Sequence, residues 1–230
     1  MGLSLQQHMF DAADIENRRV LLAAVERNQG ARILDCGCND GGFTKKMAER
    51  IGTSQIYGIE CVEEVAKVAE SKGIKVYHAD LNKRLPIEDE TFDFVCANQS
   101  IEHVHDTDMF IKEVYRVLKK GGYALLSTPN LASLHNVIAL VFGKQPFPAH
   151  VSNEIIVGTL LTPLYYKHPD AQAHIRVFTS DAMKQLFEYH GFKAEKVMGV
   201  AYYPFPIALG KLLSRVDKKH AVYLTMKMRK

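Results

Sequence analysis

Apolar residues over the first 130 positions follow two alternating patterns. Short, nearly continuous runs occupy residues 31–35 (ARILD), 55–60 (QIYGIE), 74–79 (IKVYHA), 92–97 (FDFVCA) and 123–128 (YALLST). Runs this short and this apolar predict strands buried on both faces. Between them, apolar residues return every third or fourth position. Phe43, Met47 and Ile51 fall on one helical face, and Val62, Val65 and Ala69 on another that stops at Gly73. Phe110, Val114, Val117 and Leu118 mark a helix that starts near Asp106 and stops at Gly121. Lys119 and Lys120 fall in its last turn, where cations are favoured. Residues 5–26 are also helical in pattern. Strand–helix alternation predicts an α/β fold with a parallel sheet covered on both faces, and right-handed crossovers make it doubly wound.

The pattern changes after Pro129. Residues 131–173 hold only four charged residues, Lys144, Glu154, Lys167 and Asp170, and prolines interrupt the stretch. A long irregular insertion of this kind is either packed between elements or a lid over a substrate. Thr179 or Ser180 then caps a helix carrying Met183, Leu186 and Phe187, which ends at Gly191. Residues 194–203 and 220–228 read as two final strands joined by a long loop. The whole chain, 1–230, forms one domain in four segments. These are a helical cap over 1–30, a core over 31–130, an insertion over 131–175, and a helix with a strand pair over 176–230.

Hydrophobic residues make up 47% and charged residues 24%, which excludes wholesale disorder. No apolar run reaches the roughly 18 residues needed to span a bilayer, and the first residues lack the basic-then-apolar order of a signal peptide. Cys36, Cys38, Cys61 and Cys96 form no disulfide-dense pattern, so a reducing, cytoplasmic location is expected. The net charge of +3 is too small to argue for nucleic acid, but it is unevenly placed: residues 211–230 carry seven Lys/Arg against Asp217 alone. A small-molecule partner is expected, with no nucleic acid. The basic tail is available to an anionic ligand or membrane surface.

Chemistry concentrates between the first strand and its helix, in Asp35-Cys36-Gly37-Cys38-Asn39-Asp40-Gly41-Gly42. Glycines there let the backbone turn sharply and let a ligand approach main-chain N–H groups. The following helix directs its positive end at the same spot. A dinucleotide needs G-x-G-x-x-G. Aligned that way the turn reads Gly37-x-Asn39-x-x-Gly42, without the middle glycine, and Asp35 would lie near the pyrophosphate. A cofactor with an ammonium, a sulfonium and no phosphate, such as S-adenosylmethionine, prefers that acid. Glu60 ends the second strand and can accept from both hydroxyls of a ribose. Asp80 ends the third and can accept from an adenine amino group, with Leu81 against the ring. Acids at three consecutive strand ends, with a glycine turn after the first, point to a nucleoside-containing ligand.

These elements resemble class I S-adenosylmethionine-dependent methyltransferases, of the small-molecule type that includes ubiquinone and menaquinone biosynthesis enzymes. The resemblance is carried by ILDCGCNDGG (33–42), GIE (58–60), HADLNKRLPIEDETFDFVCANQSIEHV (78–104) and RVLKKGGYALLSTPN (116–130), in the family's order and spacing. It implies a Rossmann-like, doubly wound, mostly parallel sheet of seven strands in the order 3-2-1-4-5-7-6, with the last strand antiparallel and the insertion after strand five. It also implies S-adenosylmethionine as cofactor and S-adenosylhomocysteine as product. The implied cofactor contacts are Asp35, Gly37, Cys38, Asn39, Gly41, Glu60, Cys61, Asp80, Leu81, Asn98 and Gln99. Asn39 stands where the family's D-x-G-x-G has its last glycine; if the turn needs a positive φ there, Asn tolerates it better than most residues.

Methyl transfer is an in-line displacement at a sulfonium carbon. The protein's main task is to hold nucleophile and methyl carbon about 3–3.5 Å apart and aligned. A general base is needed only for a hydroxyl or a protonated amine. Candidates follow strand four in Asn98-Gln99-Ser100-Ile101-Glu102-His103-Val104-His105. His103, an imidazole titrating near neutral pH, is the first choice, against a packing or capping role. His174 is the second; it faces the acceptor or holds the insertion to the body. Arg176 binds an anionic acceptor group or pairs with an acid, and Glu102, His105 and Tyr165 complete the candidate acceptor contacts. No metal is expected. Glu102, His103 and His105 look like ligands, but such near neighbours on a helix do not share a face. Cys36-x-Cys38 lacks a matching second pair.

An arginine of the first helix, Arg18 or Arg19, meets the cofactor carboxylate or lies on a solvated face. The aromatics Phe142, Phe147, Tyr165, Tyr166, Tyr202, Tyr203 and Phe205 suit an apolar, aromatic, lipid-like or glycan-linked acceptor. The Asp/Asn-Pro-Pro-aromatic signature of adenine methylation is replaced by Asn98-Gln-Ser-Ile. Two rival classes stand beside this reading. An NAD(P)-dependent oxidoreductase is disfavoured by Asn39 and Asp35. A non-catalytic S-adenosylmethionine-binding partner of another methyltransferase would show degraded residues over 98–105, and nothing there looks degraded.

Overall fold

The computed structural model describes residues 2–160, 165–167 and 173–230, with side chains over 10–160 and 173–230. A leading helix α1 (Gly2–Ala24) is followed by β1 (Arg32–Cys36), α2 (Gly42–Ile51), β2 (Gln55–Ile59), α3 (Glu63–Ser71) and β3 (Lys75–Tyr77). Next come β4 (Phe92–Asn98), a 3₁₀ turn (Ile101–His103), α4 (Thr107–Val117) and β5 (Leu118–Pro129). The insertion contributes α5 (Leu134–Val141), β6 (Ile155–Val157) and β7 (Tyr165–Lys167). The chain closes with α6 (Ser180–Tyr189), β8 (Lys193–Val200), α7 (Ile207–Val216) and β9 (Tyr223–Arg229).

Seven strands form one sheet in the order β3-β2-β1-β4-β5-β9-β8. The first five run parallel, and β9 runs antiparallel to both β5 and β8. This is the expected order 3-2-1-4-5-7-6, with β8 and β9 as its sixth and seventh strands. The central strands bury residues of both parities, among them Ile33, Leu34, Phe94, Val95 and Cys96, because helices cover both faces. On one face Phe110, Val114, Met183 and Phe187 of α4 and α6 pack on the sheet. On the other, Leu21, Met47, Ile51 and Ala69 of α1, α2 and α3 do so. β6 and β7 pair antiparallel as a separate hairpin.

Three local readings change. The α4 helix begins as expected, with Asp106 accepting from the Met109 N–H at 2.9 Å, but it ends at Val117. Leu118 already pairs with Phe92, and Lys119 reaches Asp93 at 2.8 Å instead of lying in a helical last turn. Strand pairing has outcompeted helix propensity there. The loop expected between the last two strands contains α7. Its periodicity is hidden because Leu209, Leu212 and Val216 point outward, and because Gly210 interrupts it. A side-chain carbon on Gly210 would lie 3.0 Å from the Tyr202 nitrogen. The insertion holds a helix and a hairpin where the sequence showed no regular element. Among the described residues, no helix is long and apolar enough to cross a membrane.

Candidate active site

The C-terminal ends of β1, β2 and β4 meet around the first glycine turn. The Gly37 and Cys38 N–H groups donate to the Ile59 carbonyl at 2.9 and 3.0 Å, which fastens the turn to β2. Gly37, Asn39 and Gly41 all have positive φ, at 78°, 49° and 74°. Asn39 therefore takes the left-handed conformation that Asn tolerates. A side-chain carbon on Gly37 would sit 2.7 Å from Ser100 Oγ. That hydroxyl in turn donates to the Cys36 carbonyl at 2.8 Å and ties the end of β4 to β1. Gly58 lies opposite Asp35 in the sheet, and a side-chain carbon on it would meet Cys38 Sγ at 2.4 Å.

Two of the strand-end acids, Asp35 and Glu60, hold this turn and the start of α2. Asp35 is 4% exposed and accepts from Thr44 Oγ1 at 2.6 Å. Burial pushes its carboxyl up to about 6, opposed by the Thr44 bond, a Cys96 hydrogen bond and the charge of Arg18. Arg18 pairs with Asp14 at 3.0 Å and lies over the Phe43 ring. Arg19 pairs with Glu16 at 3.0 Å instead. Glu60 gathers three N–H groups: Asn39 on Oε2 at 3.0 Å, and Cys61 and Val62 on Oε1 at 2.9 and 3.0 Å. The carboxylate joins the turns after β1 and β2. Asp80 accepts from the Asn82 N–H and amide at 2.9 and 3.0 Å, which hold its pKa below the usual carboxylate range. Leu81 beside it is half-buried.

At the end of β4, Asn98 Oδ1 accepts from Asn17 Nδ2 at 3.0 Å. Asn17 is fully buried in α1, and its own Oδ1 accepts from Ser127 at 2.9 Å and Thr225 at 3.0 Å. Gln99, at φ 56°, donates its side-chain amide to Ser127 Oγ at 3.3 Å. Two hydroxyl donors fix the orientation of the Asn17 amide, and so fix which face Asn98 presents. Sequence reasoning missed Asn17. The available signal was its place between Ala13 and Leu21 on the buried stripe of α1.

A second cluster follows on the 3₁₀ turn. Glu102 is 1% exposed; Oε2 accepts from Thr128 at 3.0 Å, while Oε1 is buried with no hydrogen-bond partner among the described residues. Burial pushes this carboxyl up to about 8. Its backbone carbonyl accepts from the Ile175 and Arg176 N–H groups at 2.8 and 3.0 Å, which docks the return of the insertion onto the turn. The His103 ring lies 5.1 Å from that of His174, and His174 stacks on His150 at 4.6 Å.

The two base candidates, His103 and His174, and one predicted acceptor contact, Glu102, assemble, each bringing a ligand atom within 4.8 Å of the others. This set can hold a divalent cation. It is not the set excluded on spacing: His105 is exposed, with its N–H on Asn82 Oδ1 at 2.7 Å. Arg176 donates to the His105 carbonyl at 2.6 Å and acts as a tie between insertion and body. The side chains of Tyr165 and Tyr166 lie outside the described residues. Phe142 is 68% exposed, whereas Phe147 stacks on Phe10 at 5.3 Å and Phe10 on Tyr203 at 5.5 Å.

A family model described as a methyltransferase domain matches residues 5–197. The chain belongs to the methyltransferase family. Its cofactor is S-adenosylmethionine, and the crevice fits that molecule: carboxylates at three strand ends, a close-approach glycine at Gly37 and an asparagine in place of a pyrophosphate-binding glycine. The chain is 32% identical to demethylmenaquinone methyltransferase of Staphylococcus aureus, over 80% of this chain and 76% of that protein. It is 30% identical to the mitochondrial ubiquinone biosynthesis O-methyltransferase of Rattus norvegicus, over 76% of this chain and 48% of that protein. The methyltransferase chain thus spans about half the length of its mammalian relatives. Its fold is shared with S-adenosylmethionine-dependent methyltransferases from Mesorhizobium loti (TM-score 0.65, 20% identity, 92% and 96% of the two chains) and Thermotoga maritima (0.66, 19%, 99% and 96%).

Proposed function

We propose that this methyltransferase alkylates a small acceptor with an aromatic or lipid-like body, which enters between α1 and the insertion and ends at His103. The supporting observation is a run of rings, Tyr203–Phe10–Phe147–His150–His174–His103, with successive centroids 5.5, 5.3, 6.2, 4.6 and 5.1 Å apart. Ring pairs at these distances make a wall for a flat acceptor, apolar at the Tyr203–Phe10–Phe147 end and polar at the histidine end. One relative named for ubiquinone biosynthesis and one named demethylmenaquinone methyltransferase fit the same acceptor class.

When bound, S-adenosylmethionine supplies a methyl group activated on a sulfonium. The chain's own groups do the placing. Asp35 offers a buried negative charge to the ammonium end. Glu60, already held by three N–H groups, presents its oxygens to the ribose hydroxyls. Asp80 and Leu81 take the adenine. Gly37, Cys38, Asn39, Gly41 and Cys61 shape the walls, and Asn98 and Gln99 close the floor. His103 takes the proton of an acceptor hydroxyl; the Ala173 carbonyl 3.4 Å from Nδ1 favours the proton there and leaves Nε2 the basic nitrogen. Glu102 beside it holds a proton or a cation. Ala173 and Ile175, where the insertion returns onto the 3₁₀ turn, help keep water from this contact.

Labelled-methyl transfer into a cell extract, followed by product identification, tests the reading. An organic-soluble product that disappears with Asp35→Ala is expected. Label confined to protein or nucleic acid, or NAD binding in place of S-adenosylhomocysteine binding, would overturn it.

A further inference from the structure

Away from the crevice, α1, β8 and α7 enclose a second cavity of about 330 Å³. Its lining carries Arg19 from α1, Lys196 from β8, Lys211 and Arg215 from α7, and Lys218 from the turn after α7, against the single carboxylate of Glu16. Glu16 bonds Arg19 at 3.0 Å and Lys211 at 2.9 Å, so its one charge is shared by two of the five cations. Val20 and Val197 supply an apolar floor. None of these residues belongs to the cofactor crevice.

The cavity also accounts for the basic C-terminal segment. Lys227 and Arg229 pair with Glu26 and Glu195, Lys230 lies 3.8 Å from Glu90, and Lys219 pairs with Asp181. The strand β9 is therefore neutralised within the fold. The cations left over, Arg215 and Lys218, both exposed, gather with Lys211 at this cavity. Like charges brought together around a concave surface raise the local potential and select an anion.

We propose that this cavity binds a phosphate-bearing anion, either a soluble phosphate ester or the head group of an acidic lipid, with the adjoining apolar part against Val20 and Val197. Two guanidinium groups, Arg19 and Arg215, match the bidentate geometry of phosphate oxygens. The volume is at the lower end of small-ligand cavities, which selects a head group or a small ester over a folded partner.

The test uses the full chain and two probes. Inorganic pyrophosphate is titrated calorimetrically, and phosphatidylcholine vesicles containing phosphatidic acid are used for co-sedimentation. Saturable binding of one pyrophosphate per chain is expected, weakened roughly tenfold or more both by R215E/K218E and, from a different element, by Lys196→Glu. S-adenosylhomocysteine affinity, the check on folding and on the cofactor crevice, stays within about twofold in both variants. Vesicle binding lost in the same variants assigns the site to a lipid head group; pyrophosphate binding without vesicle binding assigns it to a soluble ester. The proposal is overturned if neither probe binds, if the charge-reversal variants bind as well as the parent, or if polyglutamate competes as strongly as pyrophosphate.

Discussion

In the core over residues 31–130, the groups that shape the crevice are fastened to the next strand or the next turn. Gly37 is held by Ile59, Asn39 by Glu60, and Cys36 by Ser100. In the insertion the ties run between distant parts of the chain: Arg176 to His105, His103 to Ala173, Ile175 to Glu102. The first kind of contact follows from strand order and a few glycines. The second depends on the path of a whole irregular segment. Cofactor binding should therefore fail in large steps when a strand-end group is lost. Acceptor chemistry should respond in small ones when a single tie is cut.

The sharpest way to break this contrast is Asp35→Ala. Loss of a charge-assisted contact should weaken S-adenosylhomocysteine by roughly 30-fold or more in calorimetry, with the acceptor KM little changed. Because burial holds the Asp35 carboxyl near 6, affinity in the parent protein should also fall as pH drops through that value. Next comes Asn17→Ala, which leaves the Asn98 carbonyl and two buried hydroxyls without their partner. It should cost about 1–3 kcal/mol in urea unfolding. An Asn17→Ala protein as stable as the parent would show that α1 is not anchored through this amide.

Glu102 gives a pH signature. Its carboxyl is raised from 4.5 to about 8 in the folded state, so stability is greatest below the unfolded value and declines as pH rises towards 8. Glu102→Gln should remove that slope and melt a few degrees higher than the parent at pH 9, with a chelator present. A parent protein with a flat profile between pH 5 and pH 8 would contradict the buried acid. The smallest effect is expected of Arg176→Ala, which cuts one exposed tie. It should cost less than about 1 kcal/mol and raise the acceptor KM a few-fold, leaving S-adenosylhomocysteine affinity unchanged.

The sheet was legible because its strands are apolar on both faces and end in acids, and the positive φ at Asn39 matched what an asparagine in a glycine position allows. The ends of elements were less legible: Lys119 looked like a helix terminus until Leu118 paired with Phe92. The α7 helix was invisible because its apolar residues face out and Gly210 sits under Tyr202. At the site, Glu102, His103 and His174 could be named as candidates. Their grouping could not, since 70 residues of chain separate the two halves and only the folded insertion sets His174 beside the 3₁₀ turn. Asn17 escaped because a buried amide on a helix looks, in one dimension, like any polar residue.

The packing of Gly58 under Cys38 also sorts the thiols. Cys36, Cys38 and Cys96 are buried and only Cys61 is exposed; burial and the neighbouring Asp35 and Glu60 charges push Cys38 up to about 12. An alkylating reagent applied to the folded protein thus meets one sulfur, attached to the residue whose N–H lies on Glu60. A single label would report, by mass alone, whether the mouth of the crevice is covered, without any enzymatic assay.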